Sequence, residues 1–161
     1  MKRLTISAHA CTETLTLLIA MAWADGRLDD REKEGVRGAS EVLNLSKELR
    51  TKLEQALAKP LPLDQILLDT LSARDKAFAY VAATWMSSVD DEVDDKEKAL
   101  LDRLASSLEL SAERRSELDL IAKDLSPAKD GRNWGDEIVR LFKAIPPRIE
   151  QEVGEVEVAF E

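Results

Sequence analysis

Asp25-Gly-Arg-Leu-Asp29-Asp30-Arg31-Glu32-Lys33 returns 65 positions later as Asp90-Asp-Glu-Val-Asp94-Asp95-Lys96-Glu97-Lys98. Carried outward without a gap, the same offset pairs Met21 with Met86, Leu43 with Leu108, Leu45 with Leu110, Ser46 with Ser111, Glu48 with Glu113 and Leu53 with Leu118. No shift is needed, so the chain contains one unit twice, and each copy reads as helix, acidic turn, helix. The acidic phrase is where spacing and chemistry repeat together. A site is sought there first.

The flanks of the phrase fix the fold class. Leu15, Leu18, Ile19 and Ala22 form the i, i+3, i+4, i+7 stripe of a helix over about Ser7 to Ala24 that faces a core, and Gly26 ends it. Asp29 then stands at an N-cap with Glu32 three residues on, close to a capping box. Val36, Ala39 and Leu43 make the inner stripe of the next helix, and Leu101, Leu104 and Leu108 are their counterparts. Further helices start near Ser46 and Ser111. Pro60-Leu61-Pro62 breaks the chain, Leu63 to Leu71 reads as a short connecting helix, and Ser72-Ala-Arg-Asp75 opens a long helix. Phe78, Tyr80, Val81, Trp85 and Met86 make that helix apolar on more than one side, which predicts a central position. A helix from about Trp134 to Ala144 is expected to stop at Pro146-Pro147. Glu155 to Phe160 alternates acidic and apolar residues, as a strand or a disordered tail would, and no partner strand is expected for it.

These elements predict an all-α fold: a single-domain bundle of about seven or eight helices over residues 1–150, with related halves at about 15–57 and 80–122 and an acidic tail at 151–161. At 161 residues the chain is long enough to bury roughly 68–70% of its extended-chain surface. Thirty-two acidic against 23 basic side chains leave a formal charge of −9, which disfavours nucleic acid and anionic membrane faces and favours cations or basic protein patches. Met1-Lys2-Arg3 and the run Leu15–Ala24 imitate a signal peptide. His9, Glu13 and three threonines interrupt it, and cleavage there would destroy one copy of the repeat. The run is also short of the ~20 residues that span a bilayer. A soluble, cytoplasmic protein without membrane insertion is expected, and the single Cys11 fits a reducing compartment.

A carboxylate at a helix C-terminus meets the negative end of the macrodipole, at a cost of about 0.3–1 kcal/mol when exposed. Asp25 and Asp90 both stand there. Three things could offset that cost: a hydrogen bond to the N–H groups that open the next helix, a basic partner, or a bound cation. A hard cation such as Ca²⁺ takes six to eight oxygens, more than either turn supplies alone. Arg31, Lys33, Lys96 and Lys98 partly neutralise the acids, and no EF-hand spacing occurs.

Ala22-Trp-Ala-Asp25-Gly26-Arg-Leu-Asp29, then Glu32, then Leu43-Asn-Leu45-Ser46, resembles the repeat of the tellurite-resistance TerB-like proteins. The resemblance covers roughly Leu15 to Leu57 and, less closely, Tyr80 to Ala122, where Val89-Asp90-Asp91 replaces Ala-Asp-Gly. It implies an all-helical fold, a role in tellurite and other stress responses, and acidic residues that hold a divalent cation. The metal ligands so singled out are Asp25, Asp29, Glu32, Asp90, Asp94 and Glu97.

Other chemistry finds few members. His9 and Cys11 are two apart and leave a helix on different faces. With one histidine and one cysteine, a triad, a thiol pair or a Cys/His zinc site is incomplete, and no Walker A, G-x-G-x-x-G or G-x-S-x-G run occurs. An enzyme is not expected. Trp23, Trp85 and Trp134 read as core anchors, with Trp134 also open to a partner. The functional expectation is a non-enzymatic, cation-binding stress-response protein with no other cofactor. The alternative is an acidic protein-interaction module whose carboxylates only cap helices, or whose tail adds as a strand to a protein partner.

Overall fold

Ser7 ends a short strand and starts the first helix: its hydroxyl accepts the Ala10 N–H at 3.0 Å, the N-cap bond that replaces a missing intrahelical partner. A computed structural model of the chain describes residues 2–23, 30–59, 70–87, 95–125, 134–150 and 156–160. Among them the order is β1 (Lys2–Ile6), α1 (Ala8–Ala22), α2 (Asp30–Val42), α3 (Lys47–Ala58), α4 (Ala73–Ser87), α5 (Asp95–Ser107), α6 (Ala112–Asp124), α7 (Trp134–Ile149) and β2 (Val156–Phe160). The fold is the expected all-α bundle, with seven helices and one two-stranded sheet among the described residues. The connector read at Leu63–Leu71 lies largely outside them.

The halves meet through their equivalent first helices, since α1 packs on α4, and each repeats one packing relation: α3 lies against α1 as α6 lies against α4. Both first helices are apolar nearly all round and buried. Leu15, Leu17 and Leu18 of α1 and Phe78, Val81 and Trp85 of α4 are at most 1% exposed, so α4 has the central position its sequence predicts. Buried threonines on α1 satisfy themselves locally, Thr12 Oγ1 donating to Ala8 O and Thr16 Oγ1 to Thr12 O, each at 2.8 Å. The inner stripes Val36, Ala39, Leu43 and Leu101, Leu104, Leu108 are buried as expected.

The duplication is visible at the level of single backbone bonds. Asn44 and Glu109, 65 apart, have φ of 57° and 58°. Asn44 N donates to Glu41 O and Leu45 N to Ser40 O; Glu109 N donates to Ser106 O and Leu110 N to Ala105 O. Both are Schellman turns, closed by a left-handed residue. The next serine of each copy then caps the following helix, Ser46 Oγ accepting Leu49 N–H at 3.3 Å and Ser111 Oγ accepting Arg114 N–H at 3.1 Å.

Two expectations are corrected. Helix α7 does not stop at Ala144 but continues through Pro146 and Pro147 to Ile149. Each proline removes a helical donor, yet Ile145 is fully buried and Ile149 8% exposed. Burying two such side chains contributes about 1.5–3 kcal/mol each, which offsets much of the roughly 3 kcal/mol that each proline costs in a helix interior, and Glu150 N returns to Pro146 O at 3.0 Å. The segment expected to lack a partner strand has one: β2 pairs in parallel with β1, Lys2 opposite Val156 through Ile6 opposite Phe160. The pairing sets Arg3 beside Glu157, and Val158 and Phe160 pack against the core.

Candidate functional site

The helices on either side of each acidic phrase stand at equivalent places in the two halves. Trp23 closes α1 and anchors it to α3 by donating its Nε1–H to Ala56 O at 3.2 Å; α2 opens at Asp30. In the second copy α4 ends at Ser87 and α5 opens at Asp95. Of the six singled-out carboxylates, Asp25, Asp29, Asp90 and Asp94 lie outside the described residues, as does the side chain of Glu32, although its backbone belongs to the first turn of α2. Glu97 sits in the equivalent first turn of α5, half-buried, with Oε2 shielded from solvent. A carboxylate in a first helical turn is favoured by the macrodipole. Among the described residues no three His, Cys, Asp or Glu side chains gather as a metal ion would need. The proposed donors are all carboxylate oxygens, the set a hard cation takes.

Other polar groups were not legible as functional in the sequence. Glu13, in the middle of α1, is fully buried and forms an ion pair with Lys52 of α3. Tyr80, on α4, donates its hydroxyl to Asp119 at 2.7 Å and accepts from Arg115 Nε at 2.8 Å, while Arg115 Nη2 reaches Asp102 at 2.7 Å. Burial, then the Asp119 carboxylate, raise the Tyr80 pKa, so the phenol stays neutral. The 65-residue offset relates Asp102 to Arg37 and Asp119 to Glu54, and in the first copy Arg37 instead bridges directly to Glu54 at 2.7 Å, drawing the Glu54 pKa down. The swap of Arg37 for Asp102 is the signal that could have revealed these cross-links from sequence. They tie the second and third helices of each half together with opposite polarity.

Cys11 is buried, and desolvation, helped by the Asp75 carboxylate, pushes its thiol from 9.0 to about 12. It is therefore protonated at neutral pH and not a nucleophile. His9 points away from it, exposed, with Nε2 2.8 Å from Thr70 Oγ1. Among the described residues no helix is long and apolar enough to cross a membrane. The side chain of Trp134 lies outside the described set.

The geometry defines a duplicated helical bundle, and the acidic phrase falls in the sequence between the first two helices of each half. A family described as "Protein of unknown function (DUF533)" matches residues 6–121, and the chain belongs to that family. The match runs from the end of β1 into α6, so it encloses both copies and leaves α7 and β2 outside. No curated protein and no solved structure matches the chain.

Proposed function

We propose that this chain is a TerB-like, non-enzymatic protein of tellurite and general stress responses that works in the cytoplasm and holds a divalent cation in its acidic turns. The observation that carries the reading is the exactness of the duplication. The same Schellman turn, the same serine cap and the same buried stripes recur 65 residues apart, and the acidic phrase is repeated with them. Asp25, Asp29, Glu32, Asp90, Asp94 and Glu97 supply hard oxygen donors in that phrase. Ca²⁺ or a cation of similar hardness suits them.

The test is calorimetric titration of EDTA-stripped protein with Ca²⁺, Mg²⁺, Mn²⁺ and Zn²⁺ at physiological salt, with thermal melting alongside. Saturable heat and a raised melting temperature, both lost in the Asp25→Asn/Asp90→Asn double variant, are expected. Absence of heat for every cation assigns the carboxylates to helix capping and leaves the acidic interaction module as the working function. Because β2 is already paired with β1, that module would present its acidic face to a basic protein rather than donate its last strand.

A further inference from the structure

One groove differs between the copies in a way the fold does not require. A cavity of about 460 Å³ lies between the start of α4, the α5–α6 turn and the end of α7, a volume within the roughly 300–1,000 Å³ of small-molecule sites. Leu108 and Leu110 contribute apolar lining, and Arg74, Lys76 and Arg114 stand around them. The 65-residue offset maps the two leucines onto Leu43 and Leu45, but it maps the three cations onto His9, Cys11 and Leu49. The first copy thus closes the same Schellman turn over the same leucines without an arginine or lysine at any of these three positions, so the duplicated fold does not demand them.

Their arrangement suits an oxyanion. Arg74 is held in place by donating Nη2 to Thr5 O at 2.8 Å and Nε to Asp75 at 3.4 Å. Lys76 is half-buried, and among the described residues its ammonium has no ion-pair or hydrogen-bond partner. Arg114 spends Nη1 on Glu117 at 3.0 Å, one of five donors in its fork. The two acids of the lining, Glu109 and Glu150, are exposed. We propose that the groove binds a small phosphate ester, its dianionic head between Arg74, Lys76 and Arg114 and its organic part on Leu108 and Leu110. A dianion is preferred to a carboxylate because it gains more from several cations and offers more acceptors.

The test is amide-shift mapping of the nitrogen-labelled full chain, titrated at constant ionic strength with inorganic phosphate, butyl phosphate, butyrate and chloride. Saturable shifts confined to residues 73–76, 108–114 and 149–150 are expected, with butyl phosphate binding more tightly than inorganic phosphate and than butyrate. Lys76→Ala weakens butyl phosphate about tenfold or more, and Glu109→Gln, which removes an acid from the lining, tightens it. Because Lys76 has no partner to lose, its variant is expected to melt as the parent does; Lys76→Gln is the second variant should it not. Chloride or butyrate saturating the same amides equally well, no saturable shift, or undiminished binding by both Lys76 variants would overturn the proposal.

Discussion

Asn44 and Glu109 occupy the same left-handed backbone position in two copies of one turn, and they are not equally suited to it. Asparagine enters that region readily, whereas an ordinary side chain pays about 1–2 kcal/mol there. Glu109→Asn is therefore expected to raise unfolding free energy by about 0.5–1 kcal/mol in urea titrations, and Asn44→Ala to lower it by a similar amount. The buried pair is a second test. Removing the Lys52 ammonium takes one charge-assisted hydrogen bond from the fully buried Glu13 carboxylate, so Lys52→Met should cost about 1.5–3 kcal/mol. A Glu13→Leu/Lys52→Met double variant should recover much of it, since an apolar replacement of both partners is often neutral. The pKa shifts have a definite sign in stability. Cys11 and Tyr80 both hold their protons longer in the fold than in the unfolded chain, so the unfolded state deprotonates first as pH rises. Their contribution is whole below about pH 9 and declines toward the Cys11 value of about 12. Melting temperatures should fall across that alkaline window, and less steeply in Cys11→Ala.

At the scale of elements, the serine caps are the cleanest case of structure written locally. Ser46 and Ser111 were legible because a cap acts within three residues of itself, as did the stripes that became the buried faces of α2 and α5. Ser46→Ala and Ser111→Ala should each cost about 1 kcal/mol, and the double variant their sum, since the caps serve different helix pairs and share no bond. Helix α7 outruns its local signal for the complementary reason. Pro146-Pro147 is a local stop signal, and what overrides it is the burial of Ile145 and Ile149, which depends on neighbours that a local reading does not see. The Phe78–Phe142 edge contact at 4.9 Å joins α7 to α4 in the same non-local way. The three cations of the groove have no local signature either, because Arg74 and Arg114 come from helices that only the packing brings together.

For the molecule as a whole, the parallel β1–β2 pair is what the chain's own pattern conceals most. A parallel pairing needs a crossover between its strands, and here that crossover is the entire bundle, so no sequence-local signal marks Lys2–Ile6 as the partner of Val156–Phe160. The pair closes the duplicated unit from outside, with Ile6 fully buried and Phe160 packed on the core. It also bears on the groove, because Thr5 O on β1 is the acceptor that holds Arg74. Deleting residues 156–161 leaves β1 without its hydrogen-bonded neighbour and uncovers part of Ile6. A loss of even 1 kcal/mol lowers the melting temperature of a chain this size by roughly 2–4 °C, so a shift of at least that size is expected by calorimetry. Amide exchange should quicken at residues 2–6 first, and butyl phosphate should bind more weakly as Arg74 loses its fixed geometry. A truncated chain that melts and exchanges as the full one does would mean that β2 is held by the bundle without holding it.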